Sequence, residues 1–383
     1  METKETENIE KDDNTELPRE KIYNRIKIRI SIISTVLDIA FIAIFAFSGV
    51  SPIIESYIGM TNPYLRFIAF IMILGLMVSL ISTPIDFYSS YILEHRFGLS
   101  NQNLTKWLLE RLKSTGISLI IGLPVALAFY YFLKVSGNLW WLYFSLFVLF
   151  ISVILARLAP IIIFPLFYKF KELPDNEVKQ KLTKLLESQC IKFKGIFTYN
   201  VSKDTKKANA GFTGIGKGKR IILSDTLMEN FTPGEVSVVF AHEIGHYKFR
   251  HIIKGLTLNS IIILLSFFIC GIIYESTLSS MGFKYIYEIS AIPVLFFYLT
   301  IFGLIIMPLT NYISRKHEVQ ADSYAIDITG DKNSFISSME KLSQLNLADK
   351  EPGAVTEFIF YSHPSIKKRI DFARGYKRNN PEL

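Results

Sequence analysis

Six apolar runs dictate what this chain of 383 residues can become. They cover Ile30–Val50, Phe67–Tyr88, Ile117–Leu133, Leu139–Phe167, Leu256–Tyr274 and Ala291–Ile313. Each is near or above the roughly 20 residues that an α-helix needs to cross a bilayer. Half of all residues are hydrophobic and 31 are Phe, so the runs are the body of the protein. The chain reads as six membrane spans, with one large polar segment, about residues 169–254, between the fourth and fifth. The run from Leu139 is overlong and contains Arg157 and Pro160, so it is expected to continue beyond the bilayer.

The formal charge of +8 would suit a nucleic-acid partner, but no interleaved basic and aromatic motif appears. In a chain of many spans Lys and Arg report loop orientation instead. The N-terminal segment, the 94–113 loop (Arg96, Lys106, Arg111, Lys113), the 169–254 segment and the C-terminus are basic. The alternate loops carry only Arg66, Lys134 and Lys284. Six spans make the two sets alternate, which places both termini and the large polar segment on the cytoplasmic side. The expected divisions are an acidic disordered tail at 1–20, a four-span region at 21–168, a polar segment at 169–255, two spans at 256–313 and a C-terminal segment at 314–383. Cys190 and Cys270 lie far apart in sequence and form neither a disulfide framework nor a metal-binding pair. Asp38 and Asp86 fall within or beside spans, where a carboxylate is either functional or a helix-end group facing water.

Chemistry enters at Thr232–Tyr247. Thr232, Pro233 and Glu235 compose a helix start with a capping box. Inside that helix His242 and His246 are four residues apart, so both imidazoles leave one face and can share a metal. Glu243 lies beside them, where a carboxylate can take a proton from water. This is the His-Glu-x-x-His pattern of zinc hydrolases. The alternative, a solvated polar patch, fits poorly with Val236, Val238, Val239, Phe240, Ala241 and Ile244 around it.

A third ligand is needed. The positions three and six residues beyond His246 are Phe249 and Ile252, not the Gly and His of the metzincin pattern. His251 is expected off the ligand face, at the membrane surface among Lys248, Arg250 and Lys254. The better candidate is Glu318, directly after the last run, with Asp322 one helical turn on to accept the outer N–H of a ligand His. Two alternatives stand beside it: a surface pair of Glu318 with Arg315, and His317 as the ligand, although only Glu318 stacks over Asp322.

The pairing of His242-Glu-Ile-Gly-His246 with Ser314-Arg-Lys-His-Glu318-Val-Gln-Ala-Asp322 resembles the type I CAAX prenyl endopeptidases, multi-span zinc proteases that trim prenylated C-termini. The likeness extends to Asp86–Asn101, similar to the family's loop on the catalytic side, to Ala208-Asn-Ala-Gly-Phe212, and to Tyr361-Ser-His-Pro-Ser365 with Arg369. It implies that His242, His246 and Glu318 bind one zinc ion and that Glu243 activates water. It also implies that His363 and Arg369 support the oxyanion or hold Glu318. Asn209 and Ala210 would bind the substrate backbone as it adds to a strand edge near Ile221–Leu223. The family's eukaryotic members carry seven spans, against six runs here.

The expected fold is therefore mainly α: a polytopic transmembrane helical bundle with a gluzincin-like zinc protease domain and a small β-sheet near 195–224. The expected activity is endoproteolysis of a peptide or protein substrate, prenylated or not, at the lipid bilayer, with no nucleic-acid partner. Two other readings share these residues: a membrane quality-control protease of broader specificity, and a non-enzymatic chamber in which zinc is structural.

Overall fold

The structure is a computed structural model, and it describes residues 17–191, 195–213 and 220–377. The tail expected at 1–20 falls mostly outside them. The chain begins with α1 (Arg19–Phe47), α2 (Val50–Ser56) and α3 (Pro63–Phe87), the last opened by Asn62, whose side chain accepts from the Tyr64 and Leu65 amides. α3 passes through a π-helical turn at Tyr88–Ile92 into α4 (Leu93–Arg96). Residues 86–96 are thus helical rather than the expected loop, and the chain turns only at Gly98, where φ is 67°. α5 (Leu104–Val135) and α6 (Trp140–Leu158) follow, and a second π-helical turn over Ala159–Ile163, containing Pro160, leads into α7 (Phe164–Phe167). Leu104–Val135 and the continuous stretch Gly137–Phe167 are each of bilayer length. Together with α11 (His251–Ser280) and α12 (Ile292–Thr329), described below, six helices among the described residues are long and apolar enough to cross a membrane.

The spans pack most tightly at one end. Phe67, Phe70, Phe129, Trp140, Tyr274 and Leu295 are buried there together. Leu76, Leu80, Ile120, Phe150 and Ile305 stand exposed, as a lipid-facing surface requires, since hydrocarbon solvates them without cost. Beside this core α1, α3 and α12 part around a cleft of about 370 Å³ lined by Asp38, Phe41 and Thr300. Asp86 pairs with Arg111.

The segment between the fourth and fifth spans folds as a second layer. It holds β1 (Phe170–Glu172), α8 (Glu177–Ser188), β2 (Ile196–Tyr199), β3 (Ala210–Thr213), β4 (Arg220–Ser224), α9 (Asp225–Asn230) and α10 (Pro233–Lys248). The sheet order is β1-β2-β4-β3, with β2 parallel to β4 and the other pairs antiparallel. β4 is therefore interior, paired on both sides. The sheet's edges are β1 and β3, and the edge near Ile221–Leu223 is β3, which pairs with those residues of β4. After α11 and α12 come α13 (Lys332–Asn346), α14 (Ala354–Phe360) and α15 (Ile366–Gly375).

α10 lies at the centre of this layer and is buried on nearly every side. Its capping box forms in full: Thr232 accepts from the Glu235 amide, and Glu235 accepts from the Thr232 amide at 2.8 Å. α12 packs along it. Glu318, Ala321, Asp322, Ala325 and Ile326 are buried, the three-and-four spacing of one helical stripe. The two helices cross closely because residue 245 is Gly. A Cβ there would lie 2.9 Å from the backbone Cα of Ala321.

Candidate metal centre

That close crossing brings the last span's extension onto the His-Glu-x-x-His helix. Glu318 is not in a separate helix after the span, because α12 runs unbroken from Ile292 to Thr329. His242 Nε2 and His246 Nε2 are 3.1 Å apart, and each is 3.3 Å from a Glu318 carboxylate oxygen. A tetrahedral zinc ion with bonds of about 2.0–2.1 Å has ligand atoms about 3.3–3.4 Å apart, and one donor atom from each of these three residues lies within 4.8 Å of the others, close enough to share an ion. Glu318 is 4% exposed, and its Oε2 has no hydrogen-bond partner among the described residues. A buried carboxylate oxygen left so is costly unless a cation meets it. The donor set fits a metal, and these three residues would hold it.

The outer side of His242 is tied down. Its Nδ1 is 2.8 Å from Asp322 Oδ1. Arg369 reaches both Asp322 oxygens, Nε to Oδ2 at 2.8 Å and Nη2 to Oδ1 at 2.6 Å. Burial works to lower the His242 pKa, but the Asp322 and Glu318 carboxylates prevail and hold it up at about 9. The same carboxylates that keep a proton on this imidazole favour a metal cation beside it. Arg369 sits behind Asp322, 4.0 Å from Glu318 Oε2.

Glu243 lines a cleft of about 450 Å³ together with Gly211 of β3, His246, Gly255 and Leu258 of α11, and Ile313 of α12. Burial raises the Glu243 pKa, which brings a carboxylate towards the range of a general base. His363 stands at the rim, with Nε2 3.4 Å from Glu318 Oε1 and Nδ1 2.9 Å from Ser362 Oγ. Its loop is clamped to α12: Asn311 Nδ2 donates to the Ile359 carbonyl at 2.6 Å, and Arg315 Nη1 to the Tyr361 carbonyl at 2.6 Å. Arg315 therefore serves the His363 loop instead of pairing with Glu318. Asn209 is exposed and precedes β3. Its amide donates to Ser224 Oγ at 3.0 Å, and its Oδ1 accepts from the Ala210 amide at 2.8 Å.

His251 is the main departure from expectation. It is only 6% exposed, and its Nδ1 is 3.0 Å from His246 Nδ1. The cause is backbone geometry. α10 ends at Lys248, Arg250 adopts φ 57°, and α11 begins at His251 folded back beneath the metal site. A non-glycine residue in the left-handed region is uncommon, and Arg carries no sequence signal for it. His317 stacks on His251 with ring centroids 4.1 Å apart and planes at 11°, so it is a neighbour of the cluster and not a donor in it.

Comparison with known proteins agrees with this geometry along the whole chain. Residues 172–377 match Peptidase family M48, and residues 7–169 match the CAAX prenyl protease N-terminal region of five membrane helices. A Bacillus subtilis protein named as the uncharacterized metalloprotease YhfN is 29% identical, over 96% of this chain and 87% of its own length. CAAX prenyl protease 1 of Saccharomyces cerevisiae is 27% identical over 96% and 88%. The crystal structure of S. mikatae Ste24p superposes with a TM-score of 0.84 at 26% identity, covering 93% of this chain and 88% of that one. A metal-ready His-His-Glu triad on six spans, matched from end to end, leaves one family: the chain belongs to peptidase family M48, as a multi-span membrane metallopeptidase of the CAAX prenyl protease (Ste24) kind.

Proposed function

We propose that the protein is a zinc endopeptidase that cleaves near the C-terminus of prenylated, membrane-held substrates, with its site and both termini on the cytoplasmic side. The observation that carries this reading is the position of Glu243. It faces a cleft walled by the β3 edge on one side and by α11 and α12 on the other, where Ile252, Leu258 and Ile313 supply the apolar surface. An extended peptide can add to β3 through main-chain hydrogen bonds, with Asn209 and Ala210 at the start of that edge. Its apolar anchor then lies towards the spans. The chain-wide likeness to CAAX prenyl protease 1 supports the prenylated substrate, and the alternation of basic loops supports the orientation.

His242, His246 and Glu318 would hold the zinc ion, which would supply Lewis acidity towards the scissile carbonyl and the attacking water. Glu243 takes the proton of the attacking water and returns it to the amine nitrogen as the peptide bond breaks. His363 donates towards the oxyanion that develops on the carbonyl oxygen. Asp322 and Arg369 keep the His242 ring in the tautomer that leaves Nε2 free. A closed structural zinc site has four protein ligands, and here three donors face a cleft with a carboxylate beside them.

The test uses purified protein in detergent beside Glu243→Gln, with a farnesylated CAAX peptide and its unprenylated twin, with and without a zinc chelator. Expected is chelator-sensitive cleavage of the farnesylated peptide alone, falling about 10²–10⁴-fold in Glu243→Gln while zinc stays bound. Equal cleavage of both peptides would replace this reading with a protease of broader specificity. An active Glu243→Gln enzyme would sink the mechanism.

A further inference from the structure

The two histidine ligands are held from behind in different ways. His242 gives its outer N–H to a carboxylate, Asp322. His246 meets another imidazole: Nδ1 of His251 lies 3.0 Å from its Nδ1. On the far side His251 Nε2 is 3.0 Å from Gln320 Oε1. Proton accounting along this row has one solution once Nε2 of His246 is reserved for a metal. His246 then carries its proton on Nδ1 and donates it to the lone pair of His251 Nδ1. His251 must carry its own proton on Nε2, and it donates that to the Gln320 carbonyl oxygen, which can only accept. Each bond fixes the tautomer of the next ring. The His317 stack and the left-handed turn at Arg250 fix the plane and place of the His251 ring.

Resting on the zinc reading above, we propose that His251, itself set by Gln320, is the positioning residue for His246. It holds the second metal ligand in the Nδ1–H tautomer and in the ring orientation that aims Nε2 at Glu318 and His242. A neutral acceptor suits this side of the site. Glu318, Asp322 and Glu243 already bring three carboxyl groups to it, and another buried negative charge would have to be compensated. Because His251 is also the first residue of α11, the start of the fifth span and the ligand geometry are set by one side chain.

The test uses the full chain in detergent, stripped of metal, and reads zinc affinity by competition with a chelator, the absorption bands of bound Co²⁺ and the thermal midpoint of the metal-free protein. His251→Phe keeps an aromatic ring to stack on His317 but offers no acceptor. His251→Asn places an amide oxygen close to where Nδ1 stood. Expected for His251→Phe is a zinc affinity lower by about 10–100-fold, altered Co²⁺ bands and an unchanged metal-free midpoint, with His251→Asn recovering most of the affinity. Wild-type affinity in His251→Phe would overturn the proposal. So would equal losses in both variants accompanied by equal falls in the metal-free midpoint, which would make His251 a packing residue only. Wild-type protein that takes up no zinc would remove the proposed function and this inference with it, whereas tight wild-type binding that His251→Phe leaves intact would remove the inference alone.

Discussion

At the scale of single residues, carboxylates do different work according to what faces them. Glu318 is held among imidazoles with an oxygen to spare, Asp322 is taken up by Arg369 and His242, and Glu243 is left to the cleft. Glu235, eight residues before Glu243, is structural. It closes the capping box and also accepts from Lys341 Nζ at 2.6 Å and from Ser337 Oγ. Burial works to raise its pKa, but these donors prevail and lower it. A carboxyl whose folded pKa lies below its unfolded value of about 4.3 adds stability above that value and loses it as pH falls through the folded pKa. Glu235→Gln should therefore cost about 1 kcal/mol at pH 7, and its thermal midpoint should converge on that of wild type in acid. A midpoint gap that persists undiminished at the lowest pH would mean that the charge of Glu235 contributes nothing.

At the scale of elements, the seam between α10 and α12 makes the site. The spacing of His242 and His246 follows from helix geometry alone, but Glu318 joins them only because the helices approach within reach at Gly245 and Ala321. Gly245→Ala would push a methyl group into backbone, which flexible side-chain movement cannot relieve. The expected cost is about 1–3 kcal/mol, together with weaker retention of metal as Glu318 is displaced. Thermal melting and metal content of the purified variant check this, and wild-type values for both would show that the seam yields freely. The π-helical turns at Tyr88–Ile92 and Ala159–Ile163 belong to this scale too. Each re-aims a long helix near the boundary with the polar layer, a local change that apolar periodicity does not report.

At the scale of the whole molecule, the polar layer is bolted to the spans through Glu94. It accepts from Tyr23 Oη at 2.6 Å and from Lys27 Nζ at 3.2 Å, and pairs with Lys207 Nζ at 2.8 Å. Lys106 meets Asp204 at 2.5 Å nearby. The first three spans and the sheet layer are thus joined on the face that carries the metal site, and the packed aromatic core lies at the opposite end of the bundle. This polarity permits a direct check of orientation with the native cysteines. Cys190, in the polar layer, is exposed, and Cys270 is buried among the spans. A membrane-impermeant maleimide should label Cys190 in inverted vesicles and not in right-side-out ones, with Cys270 unreactive in both. Labelling in right-side-out vesicles would reverse the proposed topology.

The sequence by itself determined the elements whose cause is local. Six spans follow from the length of apolar runs, α10 follows from Thr232, Pro233 and Glu235, and the shared face of His242 and His246 follows from 3.6 residues per turn. Only the tertiary structure decided what depends on two distant segments meeting. β3 forms an edge of the sheet beside the doubly paired β4, Arg315 turns to the His363 loop, and residues 86–96 stay helical. His251 lies behind His246 because a left-handed Arg250 reverses the chain there. Sequence spacing carries the period of an element, whereas the contacts between elements are set by crossing distances and turns that no periodicity encodes.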